Sequence, residues 1–302
     1  MKVIRINFSG FWPGFDKYNN FFTTILKRKF EVEISENPDY LFYSVFSKEY
    51  LKYNCIRIFF TGECITPDFN LCDYALGFDD INFGDRYIRC PLYLLYNMPF
   101  VEHDANLIDG IISSKNGFCS FVYSNANSNS VRKELFYALS KYKHVSAGGG
   151  FLNNIGYNVE NKTEFERKFK FSIACENSSY RGYTTEKILH AYQAYCVPIY
   201  WGNPEIGEEL NEKAFINVHS YDSLDEVVEK VKYLDNNDEE YIKMLKEPFF
   251  IKQYEPSVQV KNISDFLYNI FDSPLNASLR RNNSCWGMIY EKSIRKKHLF
   301  LR

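Results

Sequence analysis

No CxxC pair, no Gly-x-Gly-x-x-Gly and no apolar run of membrane-spanning length occur in this chain, and each absence removes a class of protein. The eight cysteines (55, 64, 72, 90, 119, 175, 196 and 285) are scattered, several in or beside strand-like runs. That distribution fits free thiols in a reducing cytosol better than a disulfide framework or a zinc site. An excess of one charge is missing too: the formal net charge is −2, which gives no reason to expect a nucleic-acid partner. Met1–Arg5 runs into alternating residues with no apolar h-region, so a signal peptide is not expected and a cytoplasmic location is. The triple glycine Gly148–Gly150 lacks the spacing and the apolar helix of a dinucleotide fingerprint and supports that class only weakly.

What is present is organised around residues 169–202. Phe171–Cys175 is an apolar run of strand length ending on Glu176-Asn177. After a polar, Gly-containing stretch, Thr184-Thr185-Glu186-Lys187 opens a pattern in which Ile188, Leu189, Ala191, Tyr192 and Tyr195 recur at helical spacing. Val197–Trp201 is a second apolar run, closed by Gly202-Asn203-Pro204. The order predicts a parallel βαβ unit, whose loop and helix N-terminus lie at the carboxyl edge of a sheet, where ligands bind. Lys187 in a first helical turn opposes the helix dipole, and a bound phosphate resolves that conflict. An N-cap threonine followed by an ordinary exposed Glu-Lys pair is the competing reading.

At 302 residues the chain has room for two domains with their own cores. Lys2–Phe8, Tyr40–Phe46, Ile56–Phe60 and Cys72–Phe78 read as strands, and the third stops at Thr61-Gly62-Glu63, placing a carboxylate just past a buried strand end. Residues 101–117 turn polar and lose periodicity, which predicts a linker. Phe118–Tyr123 opens a second set of elements, and Arg132 near the start of a predicted helix over 131–142 adds another cation at a helix N-terminus. Arg86 and Arg89, just before Cys90-Pro91, are candidates to line a cleft; for them and for Arg132 an exposed surface position is the plain alternative. The tract 294–302 mixes cations with apolar residues and suggests peripheral contact with an anionic membrane surface, against a solvated helix end.

The stretch ACENSSYRGYTTEKILHAYQAYCVPIYWG (174–202), with FFTGECITPDFNLCDYALGFD (59–79), resembles the α-1,3-fucosyltransferase family, bacterial-type members above all. The likeness extends over roughly residues 56–270 and is poorest in the first fifty. It implies an α/β GT-B fold of two facing Rossmann-like domains with a central cleft: 1–114 with the C-terminal helix 275–302 for the acceptor, and 115–274 for the donor GDP-fucose. By the same resemblance Glu63 is the catalytic base, Arg132 and Lys187 hold the diphosphate, Asn177 and Tyr183 shape the donor pocket, and Glu186 holds the sugar or steadies its charge. The implied acceptor is an oligosaccharide or lipid-linked glycan, with N-acetylglucosamine of an N-acetyllactosamine unit giving a Lewis x type product and lipopolysaccharide as an implied carrier. No Asp-x-Asp is present, so a divalent metal is not required and is at most stimulatory. A transferase for another GDP-sugar, and a non-catalytic carbohydrate-binding protein on the same scaffold, remain as alternatives at this level.

Overall fold

The computed structural model describes residues 1–96, 100, 102–282 and 284–299. The chain divides into two compact units, Met1–Asn97 with Ser257–Arg302, and Met98–Pro256. Both differ from the boundaries expected at 114/115 and 274/275.

In the first unit β1 (Val3–Ser9), α1 (Phe21–Leu26), β2 (Glu31–Ile34), β3 (Tyr40–Tyr43), β4 (Ile56–Phe60), β5 (Tyr74–Gly77) and β6 (Tyr87–Arg89) build a six-stranded sheet in the order β2-β1-β3-β4-β5-β6. All its pairings are parallel. Strands β3, β4 and β5 are buried along their whole length, as parallel strands covered on both faces must be. The order reverses direction at β1, so the carboxyl ends of β1 and β3 flank a topological switch point, where open parallel sheets bind ligands.

The second unit contains α2 (Ala105–Ser114), β7 (Gly117–Phe121), α3 (Val131–Ser140), β8 (Val145–Ala147), α4 (Lys162–Glu166), β9 (Phe169–Cys175), α5 (Glu186–Gln193), β10 (Val197–Trp201), β11 (Ile216–Asn217), α6 (Leu224–Asp235) and α7 (Asp238–Lys246). Its five-stranded sheet runs β11-β10-β9-β7-β8, all parallel. The switch point here lies between β7 and β9. The predicted βαβ unit is β9-α5-β10, with Phe171 opposite Val197 and Cys175 opposite Trp201. The core of this unit joins Phe121, Phe171, Ile173, Val197 and Ile199 to Leu135, Leu139 and Val231 from the helices.

The segment expected to be a linker folds as α2, capped by Asp104. It escaped detection because Ile108 is fully buried while its neighbours are largely exposed, leaving no clear stripe for periodicity to find. The triple glycine has a packing role instead: a Cβ on Gly149 would sit 2.1 Å from the carbonyl oxygen of Tyr123.

The C-terminal segment joins the first unit from Ser257 onward, earlier than position 275. It comprises α8 (Pro256–Asp272), α9 (Leu275–Ser278) and α10 (Cys285–Leu299). Lys2 donates to the Phe271 carbonyl (2.7 Å) and Tyr268 to the Ile25 carbonyl (3.1 Å). Asp73, with no exposed surface, accepts the N–H groups of Arg57 (2.7 Å), Arg280 (2.8 Å) and Arg281 (2.9 Å) and pairs with the Arg281 guanidinium. A buried carboxylate so bonded ties the segment to β4 and β5, because leaving it unpaired would be costly. On α10, Glu291 pairs with buried Arg57 (3.0 and 3.1 Å), while Trp286 and Ile289 are exposed. Of the tract 294–302, residues 300–302 lie outside the described residues. Among the described residues no helix is long and apolar enough to cross a membrane.

Candidate active site

In the second unit the site grows from the carboxyl end of β9. The Glu176 N–H donates to the Trp201 carbonyl (2.7 Å), prolonging the pairing with β10. Its side chain is fully buried and turns toward the start of α5. Thr185 is the N-cap of that helix, yet its own hydroxyl makes no capping bond. The Glu176 carboxylate instead accepts the Thr185 N–H (2.7 Å), the Thr185 hydroxyl (2.6 Å) and the Lys187 ammonium (2.9 Å). Gly202 makes room for it, since a Cβ there would lie 2.4 Å from Glu176 Cγ.

Lys187 is therefore compensated within the fold, before any phosphate is bound. It donates to Thr185 Oγ1 (2.8 Å) and lies 3.6 Å from Glu186 as well as bonding Glu176. Burial pulls its pKa down, but Glu176 and Glu186 outweigh burial and hold it above the ordinary lysine value. For Glu186 burial opposes ionisation. Lys187, the N–H at the start of the helix, Lys162 and His190 reverse that and keep the carboxyl below its usual range. One Glu186 oxygen, Oε2, is buried without a hydrogen-bond partner among the described residues. His190, one turn along, is pushed down to about 4 by burial and by Lys162, so it is neutral at physiological pH.

Arg132 is likewise not a surface arginine: 1% of it is exposed. From the first turn of α3 it donates to the Cys175 carbonyl (3.0 Å), to Asn177 Oδ1 (2.9 Å) and to the Asn125 carbonyl (3.3 Å), with its guanidinium 4.0 Å from the Tyr123 ring centroid. Arg132 and Asn177 thus meet at the β7/β9 switch point, and Arg132 bears electrostatically on Lys187. Tyr183 departs from expectation. Only 2% of it is exposed, so its ring is enclosed by protein rather than offered to a sugar. Its loop is held by Asn203, which accepts the Gly182 N–H (2.9 Å) and donates to Glu209 (2.9 Å). Sequence reading passed over Glu176, Asn203 and Glu209 as functional residues. The signal for Glu176 was its place directly after a buried strand, and for Asn203 its place directly after Trp201-Gly202.

Glu63 belongs to the first unit, three residues past the end of β4. Its N–H donates to the hydroxyl of buried Thr61 (3.0 Å). Beside it opens a cavity of about 310 Å³, walled by Trp12 from the loop after β1, Phe46 after β3, and Leu92, Leu95 and Tyr96 after β6, with Gly62 at its floor. Loops at the carboxyl ends of β1, β3 and β4 therefore converge at this unit's switch point. Arg86 and Arg89 take structural roles: Arg86 donates to the carbonyls of Asp73, Phe69 and Cys72, and Arg89 to that of Phe78.

Comparison with known proteins finds matches in both units. Residues 6–96 match the alpha-(1,3)-fucosyltransferase FucT N-terminal domain, and residues 112–263 match the glycosyltransferase family 10 (fucosyltransferase) C-terminal domain. The chain belongs to glycosyltransferase family 10. Among its relatives is the alpha-(1,3)-fucosyltransferase FucT of Helicobacter pylori, 37% identical over 262 residues, which cover 74% of this chain and 55% of that protein. The chain thus spans about half the length of this relative. A crystal structure of an alpha1,3-fucosyltransferase superposes with a TM-score of 0.79 at 29% identity, covering 94% of this chain and 93% of the other. The same kind of enzyme crystallised with GDP-fucose gives 0.74 at 30% identity, covering 91% and 93%. The fold of this family 10 chain is of the GT-B class. A glycosyltransferase from Rickettsia africae, 11% identical with a TM-score of 0.54 over 90% of this chain and 99% of its own, shares the fold alone.

Proposed function

We propose that the chain transfers fucose from GDP-fucose to the 3-hydroxyl of N-acetylglucosamine in an N-acetyllactosamine-type glycan, free or lipid-linked, giving a Lewis x type product. The observation that carries this reading is the pair of cations, buried Arg132 and half-buried Lys187, set at the carboxyl edge of the second unit's sheet, in a chain whose structural relative was crystallised with GDP-fucose. The reaction is one inverting displacement. Glu63 takes the proton of the acceptor hydroxyl as the acceptor oxygen bonds to the anomeric carbon of a β-linked donor. The bond to the phosphate oxygen breaks, and GDP leaves with the electron pair.

The departing diphosphate gains negative charge, and fixed cations in a site of low polarity stabilise it without reorganising. Glu186, ionised and with one buried oxygen uncommitted, suits a sugar hydroxyl or the oxocarbenium charge of the transition state. Divalent metal is at most stimulatory, so transfer persists in EDTA. The enzyme acts in the cytoplasm, and α10 with the tract 294–302 touches the anionic inner membrane face where lipid-linked acceptors reside.

Glu63→Gln tests the scheme. Loss of a general base costs about 10²–10⁴-fold in rate, while GDP titrated by calorimetry should bind as before. Transfer by the variant at the original rate would place the base elsewhere.

A further inference from the structure

We infer that Asn203, acting with Glu209, is a positioning residue of the donor site: it holds the loop between β9 and α5 in the shape that binds GDP-fucose. The inference rests on the reading of that sheet edge as the donor site, and deepens it by naming what keeps the site assembled before the donor arrives.

The loop, residues 177–185, must find partners for its buried polar groups outside itself. Consecutive residues find them on the turn that follows β10. The Gly182 N–H donates to Asn203 Oδ1 (2.9 Å), from a backbone at φ +77° that favours glycine. The Tyr183 carbonyl accepts the Tyr200 hydroxyl (3.4 Å), which itself accepts the Asn203 N–H (2.9 Å). The Thr184 hydroxyl donates to Glu209 Oε1 (3.2 Å), the oxygen that also accepts Asn203 Nδ2 (2.9 Å). Thr184, Tyr200, Asn203 and Glu209 are all buried, so water does not replace a lost partner. Thr185 comes next, held by Glu176, and Glu186 and Lys187 follow it.

The base of this clamp is fixed. Asn203 Oδ1 also accepts the Glu205 N–H (3.0 Å), so two N–H donors face one end of the amide and a carboxylate the other. The Ile251 N–H donates to the Glu209 carbonyl (3.0 Å), and Leu210 bridges to Phe250. Among the described residues Arg132 is held by Cys175, Asn177 and Asn125, and Lys187 by Glu176 and Thr185, none of them through Asn203 or Glu209. Opening the clamp therefore leaves the cations in place and lowers the fraction of molecules whose loop fits the donor. Affinity falls by that fraction. Saturating donor draws the loop back to its bound shape, so kcat is kept.

The test titrates GDP-fucose into the full chain by calorimetry and measures kcat for transfer to N-acetyllactosamine at saturating donor. Asn203→Ala should raise the Kd of GDP-fucose about ten-fold, the scale of one buried hydrogen bond, with kcat unchanged. Asn203→Asp carries a stricter signature. It keeps an acceptor for Gly182 and Glu205 but sets a second carboxylate oxygen in the place of Nδ2, 2.9 Å from Glu209 Oε1. Two carboxylates so close share a proton whose pKa is raised well above the ordinary value. That proton mends the clamp, so Kd should match the unaltered chain at about pH 5.5 and climb toward about pH 8.5 as the proton is lost. Glu209→Gln on the same background returns an N–H donor opposite the new carboxylate and should restore Kd at every pH. A residue that merely supported the fold would give neither the pH dependence nor the rescue. An unmoved Kd in Asn203→Ala, a Kd in Asn203→Asp that does not change with pH, or no rescue in the double variant overturns the inference while the unaltered chain still binds GDP-fucose. Should Asn203→Ala not fold, the other two variants decide. No binding of GDP-fucose by the unaltered chain overturns the donor reading and this inference with it.

Discussion

Replacing Glu176 with alanine removes one carboxylate that meets three separate needs. The Thr185 N–H at the start of α5 loses its acceptor, the Thr185 hydroxyl loses its own, and Lys187, with a side chain 14% exposed, loses its nearest counter-charge. Breaking a buried ion pair from one side costs about 3–5 kcal/mol. For a unit of this size, each kcal/mol moves Tm by roughly 2–4 °C, so thermal unfolding should begin about 10 °C lower. Burial would then dominate the titration of Lys187, whose remaining carboxylate neighbour, Glu186, lies 3.6 Å away. Its pKa should fall, and GDP affinity should decline earlier as pH is raised than in the unaltered protein. Glu176→Gln keeps an acceptor for the Thr185 N–H but not the charge, and should recover part of the stability and little of the high-pH affinity. Calorimetric GDP titrations between pH 6 and 10, with melting curves for each variant, measure both effects. If Glu176→Ala melts and binds GDP like the unaltered chain, the carboxylate does not organise this helix end.

Arg132→Ala and Lys187→Ala should each weaken GDP binding, by about ten-fold or more if a charge-assisted bond of about 1.5–3 kcal/mol is lost, and unaltered titrations would reject their role. Glu291 gives a pH-dependent prediction. Burial raises its pKa, but the hydrogen bonds of Arg57 and Arg295 reverse that and bring it down to about 2. A carboxyl depressed in the folded state stabilises above its unfolded pKa of about 4.3 and loses that contribution as pH falls through the folded value. Because the group is partly solvated, about 1–2 kcal/mol is a reasonable size. Glu291→Gln should therefore melt lower at pH 7, with the gap closing as pH drops from about 5 toward 2. A gap independent of pH would contradict the pairing. Flotation with anionic liposomes should carry the full chain more than one ending at Lys292, and equal flotation would remove the membrane contact proposed for the C-terminal tract.

Several of these features were already written in the order of residues. The alternation of apolar runs with helical spacing between 169 and 202 specified β9, α5 and β10 almost to the residue, because a buried parallel strand and an amphipathic helix each impose a period that side-chain type must follow. Glu63 could be placed past a strand end for the same reason. Short or exposed elements carried no such imprint. The edge strand β2 alternates between exposed and half-buried positions, and α2 has too little buried surface to mark a stripe.

Charge was the quantity that sequence could not settle. Lys187 and Arg132 are written as cations at helix starts, where they look uncompensated along the chain. Folding sets Glu176 against the first and Asn177 with the Tyr123 face against the second, from residues 11, 45 and 9 positions away. Tyr183, expected to shape the donor pocket, is buried in the core, while Trp12, from the segment least like the family, stands in the wall beside Glu63. Local order decides which elements form, since propensity and periodicity act over a few residues. Which side chains share a pocket depends on the strand order of each sheet, because that order brings loops distant in sequence to one carboxyl edge.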